Sequence, residues 1–383
     1  KLNFDIRKKS LNLSSKVLTN SRMIRSIILS IFLGSVCITG TAQVATDTSK
    51  TTAGQDSVTT INLMPSQEAE LAYNSGTEKM NIGDYKAAIE HFDEAIKLKP
   101  DWGKAYFNRA VAKKERKMYQ PAVEDFEKCL NPADSIKDVY YNIAQTCVLL
   151  KDIEKAKQNY AKSIELNENV SQSYYYRGNV YLNEKKYKEA IDDFTKAIEA
   201  KPDYAYAYND RASAKRQLED YDGAIADYNK AVQLDGQMAF SFNNLGSALR
   251  KKGDIKSAID NYTKAIVAKS DNYVAYNNRG SAKFDAGDYQ GAIDDFTAAI
   301  KIKGDYAYAY NNRAAAKFKL KDYNSSIDDA TKAIQLNNDY GAAFLNRGIA
   351  KEMIRDQKGA CRDWEKAQKL GNESAAKYMS DCK

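Results

Sequence analysis

Apolar and polar positions along residues 69–374 obey two regularities at once. Within short runs the apolar residues stand three or four apart, as in Ala190-Ile191, Phe194 and Ala197-Ile198. That spacing lays one apolar stripe along an α-helix. At longer range the whole pattern returns every 34 residues, in units beginning at 69, 103, 137, 171, 205, 239, 273, 307 and 341, with no insertion or deletion. Each unit holds two stripes separated by a turn, as at Gly83-Asp84-Tyr85 and Gly287-Asp288-Tyr289, and so predicts a pair of helices. The eighth place is always Gly or Ala, and the twentieth is Ala in every unit except for Ser326. The twenty-seventh is Ala except for Cys129 and Ser163, and the fourth is aromatic in eight units, Tyr106, Tyr174, Phe242 and Phe344 among them. Small residues at facing places let paired helices approach closely, and aromatics fill the space towards the next unit. No unit can bury its own stripe, so neighbours must stack. The expected fold is an all-α solenoid of nine helix-turn-helix repeats, closed by a capping helix at 375–383 where Tyr378 and Cys382 keep the phase.

The units Tyr174-Tyr175-Tyr176-Arg177-Gly178-Asn179…Ala190…Phe194…Ala197…Pro202 and Tyr276-Asn277-Asn278-Arg279-Gly280…Ala292…Phe296…Ala299 carry a family resemblance. Over residues 69–374, about four-fifths of the chain, the sequence resembles the tetratricopeptide repeat. The resemblance implies a right-handed superhelix whose first helices line a concave face along which partner peptides lie. The sixth place, expected on that face, is Asn in seven units: Asn74, Asn108, Asn142, Asn244, Asn278, Asn312 and Asn346. Tyr176 and Asp210 interrupt the series. An Asn amide both donates and accepts, so it can pair with the backbone of an extended peptide without reading its side chains. The fifth place is aromatic early (Tyr73, Phe107, Tyr141, Tyr175) and Asn later (Asn209, Asn243, Asn277, Asn311), and Tyr206, Phe240 and Tyr308 add further rings. The expected groove is aromatic at one end and amide-rich at the other, a composition suited to varied partners. The plainer reading is a ladder that recurs by duplication or bonds neighbouring helices. Clamps for a chaperone tail use clustered Lys and Arg on successive first helices, whereas Lys104 here stands alone.

A charge correlation runs inside the units. The seventh place is Arg in six of them (Arg109, Arg177, Arg211, Arg279, Arg313, Arg347), and the same six carry Asp at the twenty-third place (Asp125, Asp193, Asp227, Asp295, Asp329, Asp363). The three units without the Arg pair Ser75 with His91, Ile143 with Asn159 and Leu245 with Asn261. The correlation predicts six Arg–Asp bridges tying the two helices of a unit, since a partly buried charge needs a partner and Arg suits a bidentate carboxylate.

Composition and charge refine this picture at its N-terminal end. Pro is scarce at five residues and Tyr abundant at 27, consistent with long helical runs. Residues 1–42 hold seven basic residues against Asp5, so +6 of the formal +7 lies there and +1 remains for residues 43–383. A near-neutral body argues against nucleic acid as a partner. Met23-Ile24-Arg25, the apolar stretch from Ile27 to Ile38 and Gly40-Thr41-Ala42 read as a secretory signal at 23–42, preceded by an upstream segment at 1–22. The apolar stretch is about half the ~20 residues a membrane span needs, so no integral membrane anchor is expected after cleavage. Cys37 fits a lipid-attachment pattern poorly. Residues 43–67, rich in Thr, Ser, Asp and Gln, read as a flexible linker. Together these features resemble exported repeat proteins of Gram-negative Bacteroidota and imply the periplasm or the extracellular space.

Four cysteines follow the signal: Cys129, Cys147, Cys361 and Cys382. An exported chain permits two disulfides, Cys129 with Cys147 beside Pro132 and Cys361 with Cys382 on the cap; four buried thiols are the alternative. The sole histidine, His91, occupies a place filled by Asp in the bridged units, and no CxxC, HExxH, P-loop or GxSxG occurs. The sequence therefore predicts no catalytic residue, no metal site and no cofactor. The expected function is a non-enzymatic scaffold that binds proteins or extended peptides in its groove; the alternative is a structural subunit of an envelope or secretion complex that self-associates.

Overall fold

The computed structural model describes residues 64–130 and 136–382. The expectations for the upstream segment, the signal, Cys37, most of the linker and Pro132 fall outside the described residues.

Among the described residues nine helix pairs follow one another: α1 (Pro65–Asn81) and α2 (Tyr85–Leu98), α3 (Gly103–Glu115) and α4 (Tyr119–Lys128), α5 (Val139–Leu150) and α6 (Ile153–Glu165). Then come α7 (Val170–Asn183) and α8 (Tyr187–Ala200), α9 (Ala205–Gln217) and α10 (Tyr221–Leu234), α11 (Ala239–Lys251) and α12 (Ile255–Ala268). The last are α13 (Tyr273–Asp285) and α14 (Tyr289–Ile302), α15 (Ala307–Lys319) and α16 (Tyr323–Leu336), α17 (Gly341–Met353) and α18 (Gln357–Lys369). Helix α1 starts inside the segment expected as linker, because Pro65 suits a first helical turn and the Gln67 side chain accepts from the Met64 N–H at 2.9 Å.

The turn within each pair has a local cause. Its fifteenth place is left-handed in all nine units, at Gly83, Lys117, Lys151, Lys185, Glu219, Gly253, Gly287, Lys321 and Arg355. Such a residue ends a helix by turning the chain away from it. The next residue starts the second helix. In seven units it is an Asp whose carboxylate accepts from the N–H three residues on, as Asp288 does from Gly291 at 2.9 Å and Asp322 from Ser325 at 3.2 Å.

Burial follows the 34-residue pattern. The twenty-fourth place carries a fully buried ring in eight units (Phe92, Phe126, Tyr160, Phe194, Tyr228, Tyr262, Phe296, Trp364), and in five of them the ring is wedged against the Gly at the eighth place of its own unit. First helices of neighbouring units approach one another, α1 with α3, α7 with α9 and on to α15 with α17, whereas second helices of neighbouring units approach less. A stack packed this way curves with its first helices on the inner side. The C-terminal cap Glu373–Asp381 is a 3-10 segment rather than an α-helix. It is held by Ala375, which is buried, by Tyr378 stacked on Trp364 at 5.1 Å, and by the Cys361–Cys382 disulfide.

Candidate binding groove

The fifth and sixth places of the first helices form a ladder between units. The Nδ2 of Asn278 donates to Oδ1 of Asn243 at 3.0 Å, Asn312 to Asn277 at 3.0 Å and Asn346 to Asn311 at 2.9 Å. The same step survives where the fifth place is aromatic: Asn108 Nδ2 donates to the Tyr73 hydroxyl at 2.9 Å, and the Tyr175 hydroxyl donates to Asp210 at 2.9 Å. Every rung joins residues 35 apart, the sixth place of one unit to the fifth place of the unit before. Two of the missing rungs have a chemical reason. Phe107 has no polar atom, so Asn142 turns to its own helix at the Asp138 carbonyl and accepts from Lys114. Asn209 donates to Asp210 and accepts from the Ser241 hydroxyl.

This geometry narrows what the amides can offer a ligand. Asn209, Asn277 and Asn311 are buried between helices. The sixth-place residues Asn278, Asn312 and Asn346 use their nitrogens in the rungs and keep their carbonyls as acceptors for the groove. Asn74 is exposed and Asn244 half-buried. The fifth-place rings are also partly structural: Tyr73, Phe107, Tyr141 and Tyr175 each lie within 5.4–6.3 Å of the buried ring of their own unit. Burial pushes the hydroxyls of Tyr141 and Tyr175 well above the ordinary phenol range. The rings left open lie at other places on the first helices: Tyr176 is 36% exposed, Phe240 42%, Tyr206 50% and Tyr308 54%.

The Arg and Asp of each correlated unit meet with two of the three guanidinium nitrogens, Nε and Nη2, on the two carboxylate oxygens. In the seventh unit Arg279 Nε reaches Asp295 Oδ2 at 2.9 Å and Nη2 reaches Oδ1 at 2.7 Å. Arg109–Asp125, Arg177–Asp193, Arg211–Asp227, Arg313–Asp329 and Arg347–Asp363 repeat the arrangement. All six carboxylates are buried, and each Arg lies over the ring at its fourth place, 5.2–5.5 Å from the centroid. The hydrogen bond to Asp295, and then its charge, raise the guanidinium of Arg279 above its already high range against the opposing effect of burial.

Two partners of these bridges escaped the sequence reading. A Lys at the eleventh place (Lys113, Lys215, Lys283, Lys317, Lys351) adds a second cation to five of the Asp residues at 2.6–2.9 Å. The remaining guanidinium nitrogen reaches back to the preceding unit, where Thr195, Thr263, Thr297 and Thr331 accept from Arg211, Arg279, Arg313 and Arg347 at 3.0–3.2 Å. Both signals stand in the sequence, the Lys four places beyond the Arg and the Thr 16 places before it. All six bridges brace a unit, and those of Arg211, Arg279, Arg313 and Arg347 also tie it to the unit before, as Arg109 does through Asp93.

The cysteines divide. Cys361 and Cys382 are joined, whereas the expected Cys129–Cys147 bond is absent. Cys129 lies at the end of α4 with its thiol turned to the Gly103 and Asp125 carbonyls at 3.3 and 3.2 Å, back into its own unit rather than across to α5. Burial pushes the Cys147 thiol up to about 11. His91 is half-buried on α2.

The tetratricopeptide repeat family model matches residues 69–101, 103–131, 137–170, 171–204, 205–238, 243–307 and 307–340. Protein FlbA of Caulobacter vibrioides is 49% identical over 47 residues, 12% of this chain and 8% of that protein. An uncharacterized protein of Methanocaldococcus jannaschii is 44% identical over 46 residues, 12% of this chain and 54% of its own length. The chain therefore spans only part of either relative. Among solved structures, the Cut9-Hcn1 hetero-tetramer of the APC/C is similar with a TM-score of 0.51 at 16% identity, over 82% of this chain and 75% of that one, a likeness of fold alone. The matched repeats, the unbroken period and the stacked helix pairs together place this chain in the tetratricopeptide repeat family.

Proposed function

We propose that this protein is a non-enzymatic scaffold that holds extended segments of other proteins along the inner face of its first helices. One observation carries the reading: the exposed rings Tyr176, Tyr206, Phe240 and Tyr308 lie on first helices, the same set of helices whose later members keep the Asn carbonyls that the ladder leaves open, and Tyr308 stands one turn before Asn312 on α15. Open aromatics next to fixed acceptors give a peptide apolar contact and backbone hydrogen bonds at small entropic cost. The proposal includes export to the periplasm or cell exterior of a Gram-negative bacterium, for which the Met23–Ala42 segment is the support.

A photo-crosslinking residue at Tyr308 tests the binding face against the same residue at Val267, which is 81% exposed on a second helix. The expected result is discrete partner adducts from Tyr308 that an excess of extended peptide suppresses, and none from Val267. Equal adducts at both positions, or adducts that no peptide displaces, would reject the groove in favour of another surface or of self-association.

A further inference from the structure

Asp210 is the one sixth-place residue that carries a charge. Nothing in the ladder calls for it, because an Asn oxygen would accept from the Tyr175 hydroxyl equally well. The carboxylate accepts from Tyr175 at one oxygen and from Asn209 Nδ2 at the other, at 2.9 and 2.8 Å. Among the described residues it forms no ion pair. Each oxygen retains acceptor capacity beyond its single bond. Burial holds the Asp210 carboxyl above its usual range, the signature of an anion without a compensating cation.

Rings surround it. Tyr206 lies one helical turn before Asp210 on the same face of α9 and stacks on Phe240 of α11 at 6.0 Å. On the other side Tyr176 of α7 packs edge-on against Tyr175 at 5.1 Å, and Tyr175 packs on Tyr204 at 4.8 Å. Tyr176, Tyr206 and Phe240 are the open ones, at 36–50% exposure. The chain shows elsewhere what this chemistry holds. Six times it seats a guanidinium between an Asp carboxylate and an aromatic ring, as with Arg279 on Asp295 and over Tyr276. Around Asp210 the carboxylate and the rings recur without the cation.

We infer that Asp210, with Tyr176, Tyr206 and Phe240, forms a subsite for a basic side chain, lysine or arginine, of the bound peptide. The inference rests on the groove reading and specifies its preference. The cationic head donates to the carboxylate while the aliphatic stem lies along the rings, a combination of charge-assisted hydrogen bond and cation–π contact. The remainder of the inner face reads peptide backbone; this one station reads charge.

Selection from a randomised nonapeptide phage library on the full chain, wild type and Asp210→Asn side by side, tests it. Binders to the wild type are expected to carry Lys or Arg at one register, and synthetic peptides from that set to bind about tenfold more weakly when the basic residue becomes norleucine. On Asp210→Asn that preference is expected to vanish while backbone-driven binders persist, and Tyr206→Ala is expected to weaken the basic peptides severalfold. The Asn variant keeps the Tyr175 rung at its one oxygen and gives up acceptance from Asn209. Because the folded carboxyl is raised, its charged form opposes folding above the ordinary Asp range, so removing the charge offsets that loss and the variant is expected to stay folded at neutral pH, as a thermal melt beside wild type checks. Binders without a basic residue, or an unchanged preference in Asp210→Asn, overturn the subsite alone. An absence of binders to either form overturns the groove reading and the subsite with it.

Discussion

At the scale of the residue, the Arg–Asp braces show how a repeat protein makes buried charge tolerable. Each carboxylate meets a bidentate guanidinium, and five of the six also meet a Lys. Removing the Asp leaves two cations facing one another in a partly buried site, whereas removing one cation leaves a competent pair. Asp295→Ala is therefore expected to cost about 3 kcal/mol or more in denaturant unfolding, and Lys283→Ala less than about 1 kcal/mol. A double-mutant cycle on Arg279 and Asp295 should show coupling above about 1 kcal/mol; additive single effects would mean that the pair is incidental.

At the scale of the element, the turn and the interhelical contact set separate limits. Six of the nine left-handed turn positions hold Lys, Glu or Arg rather than Gly. A side chain in that conformation is strained by about 1 kcal/mol, part of which Gly returns as chain entropy when unfolded. Lys321→Gly is expected to raise the unfolding free energy by a few tenths to about 1 kcal/mol. The opposite applies inside the helix pair. A Cβ at Gly348 would run into the indole nitrogen of Trp364, which is fully buried. Gly348→Ala is expected to destabilise by about 1–3 kcal/mol, because an overpacked core must shift its rings or backbone. Thermal melts of the two variants should move in opposite directions.

At the scale of the molecule, a stacked array is as firm as its junctions and its ends. Rungs at 35 residues and Arg–Thr ties at 16 supply polar links between units, so stacking is not apolar alone. The C-terminal end has a different solution. The 3-10 cap covers Trp364 with Tyr378, and a disulfide closes a span of 21 residues around it. Reduction, or Cys382→Ser, is expected to remove about 3 kcal/mol from local closure of the cap. Hydrogen exchange should then rise along Glu373–Asp381 while α13 and α14 keep their protection. Uniform loosening of the array, or no change at the cap, would show that the bond does not set the end's stability.

The period, the helix pairing, the turns between paired helices and the Arg–Asp partners were all legible in the chain, for one physical reason. In a stack of identical units a spatial contact becomes a constant sequence offset, so Arg with Asp 16 places later reads as a distance. The tertiary structure alone decided how neighbouring first helices are turned against each other. That angle joins the sixth place to the fifth of the preceding unit, buries Asn277 and Asn311, and draws the Asn nitrogens into rungs. It also decided that Cys129 faces its own unit and that the cap is 3-10. A pattern tells which residues are equivalent; the direction of a side chain, and therefore what it leaves open to a partner, is set by packing.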